Sequence, residues 1–400
     1  MTLSRREFLA VLAGFGLSAP VVSVAAPCLP AGTFAIAGTV FPGNRPPLRD
    51  HLVLVRQGRI EAILPDRPVS DRPVLRPEHG SILPGVINAH CHNVHSPADR
   101  RERWLNAGVT GIGDVGSPLT AMAGLAQSPP GSTASAALSG PMLTPPGGYP
   151  LPIHRPDHGL EITSPAAGAD AVRRLADRGA TQIKLAFEPG CLPRAWPRFE
   201  PATAAAICRA ARALGLRVRC HVEDLSGLEP ALNAGVHTVE HVPHRWRDQG
   251  TVRPVLTEGL APIPPYQSLL ERMVREEVIL TPTLDVFTRT PWNGPALFEP
   301  VRAFHAMGGR IALGNDFPYR RTDAGMPVRE MHLLGRAGLD GLAVLRAATA
   351  TGAEACGFRD KGVLAEGMAA DLLVVRDDPT RDPDTLKAPL HIVKDGVFIR

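Results

Sequence analysis

Through the middle of the chain, short apolar runs alternate with segments of helical periodicity. The runs cover residues 109–115, 135–139, 182–187, 217–222, 237–242, 278–284 and 310–313. Helical patterns lie between several of them, at 169–178, 201–214, 266–276 and 295–307, and another at 342–356 follows the last run. Pro201 suits a first helical turn, and Gly215 stands where a helix-ending glycine belongs. Strands that alternate with helices predict parallel pairing. Counting the strand that leads into His90 makes eight strands, the number that closes a (β/α)₈ barrel of the TIM type.

The two ends of the chain differ from the middle. Residues 33–40 and 51–64 read as strands rich in Val, Leu and Ile, with Gln57-Gly58 as a turn, and a short strand runs into Pro84-Gly85. Residues 371–376 and 391–399 are again strand-like, with Asp395-Gly396 as a hairpin turn. The expected organisation is a barrel over residues 84–357 and a small β-sandwich domain built from 31–83 and 358–400.

Ahead of the first strand, Ser4-Arg5-Arg6-Glu7-Phe8-Leu9 precedes a weakly apolar stretch to Ala26, interrupted by Gly14, Gly16 and Pro20. Twin arginines before such a stretch predict a Tat export signal over residues 1–26, the Tat machinery as a partner, and a periplasmic or secreted protein. The competing reading is an N-terminal membrane helix, which the Gly and Pro residues disfavour. Composition narrows the rest. At 44% apolar and 20% charged, the chain matches an ordinary globular protein. A formal charge of +4 with no Lys/Arg run gives nucleic-acid binding no support. The six cysteines, Cys28, Cys91, Cys191, Cys208, Cys220 and Cys356, have no CxxC spacing and read as isolated thiols.

The candidate chemistry sits at the ends of the predicted barrel strands. In His90-Cys91-His92, residues i and i+2 of a strand face one side, so both imidazoles can reach one ion. Lys184 lies in an apolar run, where a protonated ammonium is costly to bury. It reads as a snorkelling lysine, as a member of a buried ion pair, or as a lysine converted by CO₂ to an anionic carbamate. His221 and His241 close successive strands, and Asp316 follows the eighth. Taken singly, a strand-end histidine is more often a hydrogen-bonded core residue, and Asp316 reads equally as a helix cap. Together the six converge on the C-terminal face of a barrel, where active sites are built.

These positions fall within motifs that resemble the amidohydrolase superfamily, in its imidazolonepropionase-like and prolidase-like branch. They are Leu83-Pro84-Gly85-Val86-Ile87-Asn88-Ala89-His90-Cys91-His92, Ala107-Gly108-Val109-Thr110, Ile183-Lys184, Cys220-His221, Val239-Glu240-His241, Pro282-Thr283-Leu284 and Leu313-Gly314-Asn315-Asp316. The tail segments Ala348-Thr349-Ala350-Thr351-Gly352-Ala353 and Gly367-Met368-Ala369-Ala370-Asp371-Leu372 extend the likeness to about residues 33–400. The resemblance implies the barrel and β-sandwich, and two divalent ions, zinc by default, with manganese, cobalt or iron as alternatives. It assigns His90 and His92 to the more buried ion, a carboxylated Lys184 to the bridge, and His221 with His241 to the second ion. Asp316 would bind metal and shuttle protons. Two cations ionise a shared water near neutral pH and polarise the carbonyl it attacks. The chain departs from the family pattern at Asn88, where aspartate is usual, at Asn315, where threonine is usual, and at Tyr149, where histidine often follows two glycines.

The expected activity is hydrolysis of an amide or peptide bond in a small peptide, N-acyl amino acid or cyclic amide. Tyr149, His154 and Arg155 in a Gly/Pro-rich loop, and His244 with Arg245 after the sixth strand, are candidate substrate contacts, or else solvated loop residues. A lactonase or other ester hydrolase could use the same residues. A mononuclear enzyme with an unmodified Lys184, or an exported metal-binding barrel that has lost catalysis, would also fit the ligand set.

Overall fold

The computed structural model describes residues 32–92, 99–122, 129–190, 195–248, 251–290 and 294–400. The predicted export signal, Cys28 and Cys191 lie outside them. Among the described residues, no helix is long and apolar enough to cross a membrane. Cys91, Cys208, Cys220 and Cys356 are buried free thiols, as isolated cysteines should be.

Five strands open the described chain: β1 (Thr33–Val40), β2 (Leu48–Arg56), β3 (Arg59–Pro65), β4 (Val74–Leu75) and β5 (Gly80–Pro84). The middle holds β6 (Val86–Cys91), β7 (Val109–Asp114), β8 (Ser135–Leu138), β9 (Met142–Thr144), β10 (Gly159–Glu161), β11 (Gln182–Ala186), β12 (Arg217–His221) and β13 (Thr238–Glu240). A small hairpin, β14 (Trp246–Asp248) and β15 (Thr251–Arg253), precedes β16 (Ile279–Thr281). The last strands are β17 (Leu372–Arg376), β18 (His391–Lys394) and β19 (Val397–Phe398).

Strands from both chain ends meet in one mixed sheet, ordered β19-β18-β17-β5-β1-β2-β3, with β4 on β1. Antiparallel β17 and β5 make the junction, with Leu373 opposite Leu83. Both predicted turns form with their central residues in the left-handed region, at φ 49° and 77° for Gln57-Gly58 and 51° and 75° for Asp395-Gly396. The turns also pack together: a Cβ on Gly396 would lie 2.6 Å from the Cα of Gly58, so glycine there permits the approach.

Apart from β10 and the β14-β15 hairpin, the middle strands are parallel and largely buried, which is why they read as continuous apolar runs. With β10 they form a six-stranded sheet, β10-β9-β11-β12-β13-β16, and a three-stranded sheet, β6-β7-β8. Helices Pro165–Asp177, Pro201–Ala213, Pro264–Arg275 and Gly294–Ala306 lie where helical patterns were expected, with Pro at the start of the first three.

The eighth expected strand is the main correction. Residues 310–313 form no strand, only one parallel bridge from Ile311 to Leu280. The Leu313 N–H goes to the Ala347 carbonyl, while Ala89 donates to the Leu313 carbonyl and Ala312 to that of Leu280. The segment therefore links β16 to β6 without a ladder on either side, and no ladder among the described residues closes the two parallel sheets into one. The expected helix over 342–356 is two, Gly341–Ala347 and Ala350–Cys356, broken at Thr349 (φ −133°, ψ −91°), whose hydroxyl bonds the Leu345 carbonyl.

Candidate metal centre

His90 and His221 at the C-terminal ends of β6 and β12, His241 just after β13, and Lys184 in the middle of β11 reach one buried region. The strand alternation is as expected at the first. His90 and His92 face the region, while Cys91 turns away and its thiol lies 3.3 Å from the Gly113 carbonyl. Gly314 lets residues 310–316 approach this strand, since a Cβ there would stand 2.5 Å from the His90 Cβ. His241, Thr283 and Asp316 each leave their segments in the left-handed region, with φ 72°, 52° and 57°. Such a backbone costs a non-glycine residue about 1–3 kcal/mol and is characteristic of functional sites.

Two groups of side chains have ligand atoms mutually within 4.8 Å: His90, His92 and Asp316, and His221, Glu223 and His241. The groups adjoin, with the His90 and His241 ring centroids 4.7 Å apart. Asp316 Oδ1 lies 3.3 Å from His90 Nε2 and 3.2 Å from His92 Nε2. Outer partners hold the other ring nitrogen of three histidines. His90 Nδ1 is 2.6 Å from Glu240 Oε2, His241 Nδ1 is 2.7 Å from Thr283 Oγ1, and His92 Nδ1 is 3.3 Å from the Gly116 carbonyl. That arrangement fixes ring orientation and turns Nε2 inward, as in histidines that ligate metals.

The inward atoms make no hydrogen bond to the rest of the protein. His90 Nε2, His221 Nε2, Lys184 Nζ, Glu188 Oε2 and Asp316 Oδ1 are buried and make no hydrogen bond. Their short contacts are with one another, Asp316 Oδ1 to His90 Nε2 and Glu188 Oε2 to His221 Nε2. Buried imidazoles and carboxylates without hydrogen bonds would be expensive in an ordinary core, whereas a bound cation satisfies them. The donor set therefore fits divalent metal.

Protonation agrees with that fit. Burial pushes His221 down to about 4 and His241 well below the usual imidazole range, so both are neutral and able to coordinate. Burial lowers the Lys184 ammonium to about 8, which makes the free amine accessible. Asp316 is held ionised: burial opposes its charge, but His90 and His92 outweigh it. Glu240 is likewise ionised against burial, chiefly by Arg219.

Above the ligands lies a cavity of about 420 Å³. Of the expected substrate contacts, Tyr149, His154 and Arg245 line it. Tyr149 stacks on His221 with centroids 4.2 Å apart and rings 19° from parallel. Arg155 does not line it; its side chain is 78% exposed and pairs with Asp157. His244 is buried beside the cavity, with Nδ1 2.9 Å from the Val242 carbonyl. Arg245 bridges Glu188 and Glu223, at 3.1 and 2.8 Å. Burial pushes Glu223 up to about 7, against the pull of Arg245. In Glu188, His221 and Arg245 outweigh burial and lower it.

Glu188, Glu223 and Tyr319 were not anticipated from the sequence. The signal was there in part: Glu223 follows His221 by two residues and Glu188 follows Lys184 by four, just past the ends of β12 and β11.

The profile of the amidohydrolase family matches residues 143–400. The chain belongs to the amidohydrolase family. This amidohydrolase is therefore an amide-bond hydrolase, and its family implies a divalent metal, in accord with the donor set above. No curated protein matches it. Among solved structures, it is similar to a Xaa-Pro dipeptidase (18% identity, TM-score 0.74, covering 92% of this chain and 100% of that one). It is also similar to a putative prolidase from Bifidobacterium longum (24%, TM-score 0.73, 92% and 95%) and to A. niger ochratoxinase (20%, TM-score 0.74, 92% and 96%). At such identities the likeness concerns the fold, which is a TIM-barrel-like α/β arrangement.

Proposed function

We propose that this amidohydrolase cleaves an amide or peptide bond of a small substrate, among small peptides, N-acyl amino acids and cyclic amides, at a two-metal centre. The observation that carries the reading is the convergence of His90 Nε2, His221 Nε2, Lys184 Nζ and Asp316 Oδ1, none of them hydrogen-bonded, in one buried region. His90, His92 and Asp316 would hold one ion and His221 with His241 the other, with Lys184 as a CO₂-derived carbamate between them. Zinc is the first choice for a site with this many imidazoles. When bound, two such cations supply a water ionised near neutral pH and a Lewis acid for the carbonyl oxygen.

The remaining work falls to the chain. Asp316, buried and ionised, is placed to take the proton of the attacking water and hand it to the leaving amine. Glu240 fixes the orientation of His90, and Thr283 that of His241. Tyr149, stacked on His221, shields the ligand from solvent and forms a wall for the substrate. The two parallel sheets, with the 310–313 segment in the place of the eighth strand, are read as arcs of one barrel of the (β/α)₈ type over residues 84–357, and the terminal sheet as the β-sandwich domain of 31–83 and 358–400. Residues 1–26 are read as a Tat signal, with the mature protein starting near Pro27 in the periplasm or outside the cell; N-terminal sequencing that found Met1 would refute this.

The decisive measurement is divalent metal per chain after purification without chelator, paired with hydrolysis assays on the three substrate classes. About two ions per chain and turnover of an amide support the reading. About one ion points to a mononuclear site with an unmodified Lys184. No ion, with failure to reload, overturns it.

A further inference from the structure

The cavity is built in two storeys. Lys184, His221 and His241 form the lower one, and residues farther along the same three segments, Glu188, Glu223 and Arg245, form the upper one. In the upper storey one guanidinium serves two carboxylates: Arg245 Nη2 is 3.1 Å from Glu188 Oε1 and 2.8 Å from Glu223 Oε2. Each carboxylate thus commits one oxygen to Arg245. The other oxygens, Glu188 Oε2 and Glu223 Oε1, each stand 3.6 Å from His221 Nε2. Glu188 is 2% exposed. Among the described residues lining the cavity, Glu188, Glu223 and Asp316 outnumber the guanidiniums of Arg245 and Arg320, and Glu188 Oε2 is left without a hydrogen bond.

We propose that Glu188 and Glu223 form a subsite for the α-ammonium group of an unblocked peptide, so that the bond cleaved is the one next to a free amino terminus. The proposal rests on the hydrolase reading above and narrows its substrate class. An ammonium presents three donors in a compact head and can serve two separate single oxygens. Its position is set by covalent geometry, because an α-nitrogen lies only about 2.5 Å from the carbonyl carbon of its own residue. A carbonyl reacting beside His221 and His241 therefore carries its α-nitrogen within reach of the carboxylates that flank His221. A cation at the end of a long side chain would overshoot them. An N-acyl cap would remove the charge and set a carbonyl oxygen against two carboxylates, leaving the buried acids unpaired.

The test compares leucinol with 4-methylpentan-1-ol, which is the same molecule without its amine and has no amide to cleave. Binding of each to the metal-loaded full chain is measured by calorimetry, in the wild type and in Glu188→Gln and Glu223→Gln. Metal content is measured in all three. The wild type is expected to bind leucinol at least about tenfold more tightly, with most of that preference lost in either variant while bound metal is retained. Equal affinity for the two alcohols overturns the proposal, and so does loss of metal from either variant, which would make that glutamate a ligand. Hydrolysis of a dipeptide and its N-acetyl form separates the two readings. Equal turnover of both sinks the subsite alone. A preference for leucinol with no turnover of any amide sinks the hydrolase reading and keeps the subsite.

Discussion

Asn88 and Asn315 bond each other through their side chains, Asn88 Nδ2 donating to Asn315 Oδ1 at 2.8 Å in a fully buried contact. The pair joins the strand that carries His90 to the segment that carries Asp316. Asn88 Oδ1 also accepts from the backbone N–H groups of His90 and Asn315, at 3.3 and 3.2 Å, and Asn315 Oδ1 accepts from Phe317 at 3.2 Å. At both positions the resemblance read from the sequence led us to expect another residue, and the two asparagines form one matched amide pair. Asn88→Asp would set a carboxylate oxygen against Asn315 Oδ1. The expected loss is about 1–3 kcal/mol of stability and about 10–100-fold in metal affinity. Thermal unfolding and chelator competition check the two effects; an unperturbed metal affinity would mean the amide pair does not position His90 and Asp316.

Glu240 links the ligand sphere to the core. Its carboxylate receives Arg219 Nε and Nη2, both at 2.8 Å, and contacts His90 Nδ1 at 2.6 Å, with all three side chains buried. Glu240→Gln leaves the Arg219 charge buried without its counter-charge, which should cost about 3–5 kcal/mol. Removing both charges, as in Glu240→Leu with Arg219→Met, should recover much of that stability but not the metal affinity, because His90 still lacks its outer partner. Recovery of both would reduce Glu240 to a structural counter-ion.

Such partnerships explain what could be read from the sequence. The convergence of the candidate ligands His90, His92, Lys184, His221 and His241 was legible because strand alternation and parallel packing bring them together without reference to distant residues. The last strand was not. Residues 310–313 are apolar enough for a strand, but the Leu313 N–H is claimed by Ala347 from a helix still to come in the chain, a competition no local pattern reveals. The ion pairs of Arg245 were hidden for the same reason. Its role depends on Glu188 and Glu223, which lie 57 residues before it and on another strand end respectively.

Asp316 and Lys184 should separate in their effects. Asp316→Asn keeps an oxygen for coordination but removes the proton acceptor, so bound metal should largely remain while turnover falls by about 10²–10⁴-fold. Lys184→Ala should lose bound metal as well as activity. Metal-free protein reloaded without bicarbonate should regain less activity than protein reloaded with it. Turnover unchanged in Asp316→Asn, or reloading indifferent to bicarbonate, would remove the proton shuttle or the carbamate from the scheme.

Acid should weaken the fold through a histidine remote from the metal centre. His237 Nδ1 accepts the Val218 backbone N–H at 2.9 Å, which requires an unprotonated nitrogen. Burial, with Arg217 and Arg212 nearby, lowers His237 from 6.5 to about 4. Because the folded-state value lies below the unfolded one, the contribution of His237 is complete above pH 6.5 and is lost as pH falls towards 4. Discounted for its partial exposure, that contribution is about 1–2 kcal/mol. His237→Gln retains an acceptor for Val218 but cannot titrate. Between pH 7 and pH 4, urea unfolding should therefore show the wild type losing about 1–2 kcal/mol more than the variant. Equal losses in the two proteins would mean that the Val218 bond does not depend on the charge state of His237.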